Sequence, residues 1–253
     1  MPGLQPAMGV ARTAAKLVPR LLVGIGLLGL LAPPAPGQED PGALVDRVLE
    51  AYGGWAALST VSSYRMEGVV RTSHGKSPSP TSRVFERPGR LRVVLVHPDV
   101  KETRILDGSR GWRSDPSGAF AEAKGPLLDS MRLQAARAGL PWILAERRDS
   151  VTLIEPLEVQ GTPLPGLEVP LGPGLALRAY VDPDTSRVLR ALAVLDHPMM
   201  MITFETRYTD FKEAEGVLFA HTEQNYTGGR HQATTAIETV VVNPELEEAD
   251  FRP

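Results

Sequence analysis

The hydrophobic period of the chain changes several times, and each change marks an element. Asp40 suits a helix cap and Pro41 a first helical position, and Leu44, Val45, Val48, Leu49 and Tyr52 then recur at helical spacing. Gly53-Gly54 ends that pattern, after which Trp55, Leu58 and Val61 lead into a strand. From Ser63 to Thr72 the period falls to two, with Tyr64, Met66 and Val70 on one face and Arg65, Glu67 and Arg71 on the other. The alternation returns in Arg90 to Val96, where Leu91, Val93 and Leu95 oppose Arg90 and Arg92. It returns again in Met201 to Asp210, where Ile202, Phe204 and Tyr208 oppose Glu205 and Arg207. These are predicted half-buried antiparallel strands of one sheet.

Arg87-Pro88-Gly89, Asp107-Gly108, Asp115 to Gly118, Asp182 to Thr185 and Gly228-Gly229 lie between such runs and can reverse the chain. A two-residue loop at Gly228-Gly229 would set Thr227 opposite Arg230, Tyr226 opposite His231 and His221 opposite Ala236. Thr72 to Thr81, with Gly75, Pro78 and Pro80, reads as a long hairpin loop. The alternation breaks in Pro126 to Glu146, which reads as two helical pieces split by Gly139 and Pro141, with Leu127, Leu128, Met131, Ala135 and Ala138 as an apolar stripe. The fold class is therefore mainly β (α+β). A meander of about ten strands forms a strongly curved antiparallel sheet, with an N-terminal helix and a central helical insertion over its concave apolar side.

Composition narrows the function. The chain has 253 residues, of which 42% are hydrophobic and 23% charged, enough for an ordinary core. Its 27 basic and 30 acidic side chains are dispersed and leave a net charge of −3, which gives no footprint for nucleic acid. There is no cysteine, which removes thiol chemistry, disulfides and lipid attachment through an N-terminal cysteine. Residues 1–37 read as a secretory signal: Arg12, Lys16 and Arg20 without an acid, an apolar run from Leu21 to Leu31, then small residues around a cut before Gln38. As a helix that run spans about 16 Å, half a hydrocarbon core, which favours a cleaved leader over the alternative of an uncleaved anchor. Residues 38–253 are then one exported domain. Gly24 to Gly29 spells G-x-G-x-x-G inside the leader, without the strand and βαβ unit that nucleotide binding requires.

Catalytic groups do not assemble from the sequence. The five histidines form no metal pattern and read as surface or turn residues, and there is no G-x-S-x-G elbow. Asp182 and Asp184 read as turn carboxylates. No catalytic residue, metal or cofactor is expected. The apolar residues stand out instead. Met199-Met200-Met201 offers flexible, polarizable side chains that either adapt to a ligand or fill a core. Trp112, Trp142, Phe85 and Phe120 can be core, rim or cavity wall.

Three late segments, Thr206 to Phe211, Glu215 to Ala220 and Ile237 to Pro244, followed by a closing Phe251-Arg252-Pro253, resemble the terminal hairpin of exported LolA-like lipoprotein-sorting proteins. Ala51 to Gly54 with Leu58 and Val61, Asp107-Gly108 before Gly111-Trp112, and Tyr180 to Thr185 before Arg190 recur in the same order, so the resemblance spans about residues 41–253. It implies an incomplete antiparallel β-barrel whose helices cover an apolar cavity that receives acyl chains. The best-known members escort lipoproteins across the periplasm, while others sense envelope stress or receive lipoproteins at the outer membrane. The absence of cysteine disfavours the anchored receptor form. A cavity arginine is important in the carriers, but Arg65 and Arg71 fall on the face opposite Tyr64 and Met66, so neither inherits that role.

The expected function is a periplasmic carrier or binding protein for a lipid, lipoprotein acyl chain or other amphiphile, without enzymatic activity. Tyr64, Met66, Leu91, Val93, Leu95, Ile202, Phe204 and Tyr208 would line the cavity, and Leu127, Leu128 and Met131 would form its lid. The expected partners are that amphiphile, an envelope protein and a transiently touched membrane, with no nucleic acid. The alternative is an envelope interaction or stress-sensing module of the same fold whose cavity is filled by its own side chains.

Overall fold

The computed structural model describes residues 40–75, 77–96, 101–197 and 199–253. Residues 1–37, read above as a leader, the expected cut before Gln38, and His97 lie outside them. The chain opens with α1 (Pro41–Ala51) and α2 (Gly54–Thr60). Asp40 caps α1 by accepting from the backbone N–H groups of Gly42 (3.3 Å) and Ala43 (3.2 Å), and Leu44, Val45, Val48 and Leu49 are its buried stripe. The segment read as a lead into a strand is thus a second short helix.

Six strands follow as a meander: β1 (Ser63–Thr72), β2 (Ser79–Glu86), β3 (Arg90–Val96), β4 (Lys101–Asp107), β5 (Arg110–Ser114) and β6 (Phe120–Ala123). Two helices, α3 (Pro126–Ala138) and α4 (Leu140–Glu146), come next. A second meander contains β7 (Thr152–Val159), β8 (Thr162–Gly172), β9 (Leu175–Val181), β10 (Val188–His197), β11 (Met200–Ala214), β12 (Val217–Thr227) and β13 (Arg230–Val242). The two meanders join where β1 pairs with β13, giving one 13-stranded antiparallel sheet in the order β6-β5-β4-β3-β2-β1-β13-β12-β11-β10-β9-β8-β7. The sheet is curved and its edges do not meet, so it is an incomplete barrel.

This order explains the insertion. β6 and β7 are opposite edges of the sheet, so the chain between them must cross the whole concave side, and α3 packs against β4 and β5 as well as β9 and β10. Gly139 stands between the two helices, and the position takes glycine because a Cβ there would lie 2.6 Å from Cζ of Phe85. The period-two reading matches the burial of β1, where Tyr64, Met66 and Val70 are buried while Glu67 and Arg71 are exposed. The loop after β1 is shorter than the predicted Thr72 to Thr81, since β2 already begins at Ser79.

Two cores result. The main one lies between the concave face and the helices. A smaller one lies outside the sheet, where Phe251 of the C-terminal segment packs with Val84, Ile105 and Trp112, and the Arg90 guanidinium stacks over the Phe251 ring at 4.3 Å. At the sheet edges, β6 is only four residues long, and β7 carries Pro156 within a register break between Ile154 and Leu157.

Candidate functional site

The concave side is closed at one end by aromatic rings. Tyr64 lies 5.4 Å from Phe85, 6.2 Å from Trp142 and 5.4 Å from Phe219, ring centre to ring centre. Two hydrogen bonds fix this floor: the Tyr64 hydroxyl donates to the Ala138 carbonyl at the end of α3 (3.0 Å), and Trp142 Nε1 donates to the Leu58 carbonyl (2.8 Å). The Tyr64 phenol is pushed up to about 12 by burial, so it stays a neutral donor.

Beyond the floor is a cavity of about 410 Å³ between the sheet and α3. Met66, Val93, Leu95, Phe204 and Tyr208 line it, drawn from β1, β3 and β11, and α3 contributes Ser130, Gln134, Arg137 and Ala138. The lining reaches exposed Gln232 beside the Gly228-Gly229 turn, so the cavity communicates with solvent at that rim. The other expected residues lie elsewhere. Tyr64 and Leu91 belong to the packed core, and Ile202 is half-buried against it. Leu127 is exposed, while Leu128 and Met131 sit over Gly111 of β5, so that a Cβ there would come within 3.0 Å of Leu128 and 3.1 Å of the Met131 sulfur.

The wall is mixed rather than uniformly apolar. Arg83 of β2 makes a two-pronged ion pair with Glu223 of β12, Nη1 to Oε1 at 2.8 Å and Nη2 to Oε2 at 2.6 Å, with 20% and 8% of the two side chains exposed. Desolvation disfavours both charges, but mutual attraction and hydrogen bonding win. The Arg83 value is raised, and the Glu223 carboxyl is held below the usual carboxylate range. Arg137 reaches from α3 to the sheet, its Nη1 donating to the Phe204 carbonyl (3.3 Å) and to Thr206 Oγ1 (3.2 Å), and Thr206 in turn donates to Asn225 Oδ1 (2.9 Å). Desolvation lowers the Arg137 value, and burial likewise raises that of the Tyr208 phenol.

Sequence reading missed Arg83, Glu223 and Arg137. A signal existed for the first: Arg83 pairs with Met66 and Val93, both on the apolar face, so its parity points inward. Glu223 shares parity with buried Val217, Phe219 and His221. The expected hairpin register holds at Thr227/Arg230 and Tyr226/His231, but a shift between Asn225 and Tyr226 then puts Thr222, not His221, opposite Ala236. His221 is accordingly buried, not a surface residue, and its Nδ1 donates to the Ile237 carbonyl (2.9 Å). Met199, Met200 and Met201 fill no core: they are 88%, 49% and 71% exposed. β12 pairs with β11 only from Phe204/Thr227, so Met200 to Thr203 run past its end. Asp182 is a turn residue, accepting from the Asp184 N–H (3.0 Å) and Thr185 Oγ1 (2.9 Å). Among the described residues no group of His, Asp or Glu is placed to hold a metal.

An open antiparallel sheet, strongly curved and with helices across its hollow side, defines a class of half-barrel folds. Within that class this is a LolA-like fold. Similar solved structures include a LolA superfamily protein from Nitrosomonas europaea, with a TM-score of 0.56 and 11% identity, covering 85% of this chain and 99% of that one. A DUF1329 family protein from Desulfovibrio piger gives a TM-score of 0.55 and 13% identity, covering 85% and 98%. A domain from Vibrio parahaemolyticus named for outer membrane lipoprotein sorting gives 0.51 and 10%, covering 83% and 95%. At these identities the likeness is one of fold. No protein-family profile matches the chain, and no curated protein sequence does.

Proposed function

We propose that the protein is a periplasmic carrier or binding protein for a lipid, a lipoprotein acyl chain or another amphiphile, exported by the leader at residues 1–37 and working as one domain without catalysis. The observation that carries this reading is the cavity of about 410 Å³ between the curved sheet and α3. That volume falls in the range of roughly 300–1,000 Å³ typical of small-molecule sites. Its closed aromatic floor and solvent-reaching rim give an acyl chain a way in and a place to end. Burying each CH₂ is worth about 0.8 kcal/mol, so even a short stretch of chain supplies several kcal/mol without a specific polar contact. The name of the Vibrio domain and the LolA-like fold agree with this reading. The alternative, an interaction module with a filled interior, has less support because the interior holds open space.

The test uses the protein purified without residues 1–37 from a Gram-negative periplasm. Mass spectrometry of the native protein should find a co-purified lipid, or the delipidated protein should bind the neutral dye Nile red and release it to an added amphiphile. A preparation that carries no lipid and takes up no dye overturns the reading.

A further inference from the structure

Three guanidinium groups line the cavity, and they are not equally matched. Arg83 holds Glu223, and Arg104 is bonded to Glu102 at 2.7 Å. Arg137 has no carboxylate within ion-pair distance among the described residues. Its two hydrogen bonds both come from Nη1 and go to a carbonyl and a hydroxyl. The other carboxylate on the lining, Glu67, is exposed and sits at the bulge between β1 and β13. With Nη1 committed to the sheet, the Nε and Nη2 edge of Arg137 remains. This side-on fork of two parallel N–H donors matches the two oxygens of a carboxylate.

Two further groups on the same wall lack partners. The Tyr208 side chain is only 8% exposed, and its hydroxyl makes no hydrogen bond with any described residue. Asn225 accepts from Thr206 through Oδ1, which leaves its amide N–H₂ as a donor on the cavity lining. A desolvated cation beside an unpartnered hydroxyl and an amide donor, all on the cavity lining, presents a set of donors that an anion would complete.

We propose that Arg137, with Tyr208 and Asn225, is the head-group site for an amphiphile bearing one anionic head, whose chain lies against Met66, Val93, Leu95 and Phe204. This rests on the carrier reading above and adds the chemical class of the ligand. The anion is either the carboxylate of a free fatty acid or the phosphate of a lipid head.

The test compares displacement of Nile red by lauric acid, dodecyl phosphate, methyl laurate and dodecanol, at a pH where the acid is ionised. The ionised probes should bind at least roughly tenfold more tightly than the neutral ones, the scale of one charge-assisted hydrogen-bond pair. The tighter of the two anions identifies the source. In Arg137→Gln the ratio of acid to ester affinity should fall to about twofold, with Arg137→Lys retaining part of it. Equal displacement by all four probes overturns the anion site while leaving the carrier reading intact. The comparison in the unaltered protein decides this even if the variants fold poorly. Displacement by none of the four sinks both.

Discussion

Arg83 and Glu223 form an ion pair across two intervening strands, since β1 and β13 separate β2 from β12 in the sheet. Neighbouring strands lie about 4.8 Å apart, so a flat sheet would hold β2 and β12 roughly 14 Å apart. The pair closes at 2.6 Å because the sheet bends inward, so it is a direct consequence of the curvature that makes the cavity.

Removing one member leaves the other charge buried. Glu223→Gln should lower unfolding free energy by about 3–5 kcal/mol, while Arg83→Met combined with Glu223→Leu should recover most of that loss. Urea denaturation of the two singles and the double checks this, and strict additivity of the single losses rejects the coupling.

The same pair sets an acid limit. Desolvation works against the Glu223 charge, but Arg83, and then Arg137, hold its carboxyl below the ordinary value of 4.5, so the folded protein gives up that proton more readily than the unfolded chain. The contribution is complete above that value and disappears as pH falls through the lower folded one. Stability measured between about pH 6 and pH 3 should therefore fall, and by less in Glu223→Gln than in the unaltered protein.

Tyr64 ties the end of α3 to the floor through the Ala138 carbonyl. Tyr64→Phe keeps the ring packing but strands that carbonyl, at a cost of about 1–2 kcal/mol. Hydrogen exchange should quicken in the last turn of α3 and first turn of α4, with the central strands unchanged.

Asn243 follows β13 with φ of 47°, and its side-chain oxygen accepts from the Ser62 and Ser63 backbone at 2.8 Å and 3.3 Å while its amide donates to the Thr60 carbonyl at 2.9 Å. Asn243→Ala loses both the clamp and the tolerance for left-handed backbone, and should cost about 2–3 kcal/mol. Asn243→Gly keeps the backbone freedom and should be the milder change by thermal melting.

Ala233 lines the cavity opposite Asn225. Ala233→Trp should occupy the open space, abolishing Nile red uptake with little change in melting temperature. Undiminished uptake would place the dye site elsewhere.

The elements legible in the sequence were those with an uninterrupted period. The stripe of α1, the alternation of β1 and β3, and the Gly139 break between α3 and α4 each follow from a local rule. β7 and β8 were obscured because Pro156, Pro163, Pro165 and Pro170 interrupt their alternation. The site was less legible. Parity alone placed Met66, Val93, Leu95, Phe204 and Tyr208 on the concave side, but it could not choose which of them border space and which, like Leu91, meet other side chains. The interior charges depend on contacts between strands far apart in the sheet, and a single register shift at Asn225 moved His221 out of its expected pairing.

A strap of two helices tethered to both borders of a sheet has a mechanical result. Since the borders never zip together, the bend is held not by a closed ring of backbone rungs but by what crosses the hollow, α3 and the Arg83–Glu223 pair. Neither border invites a second molecule to add a strand, one being a four-residue stub and the other interrupted by proline.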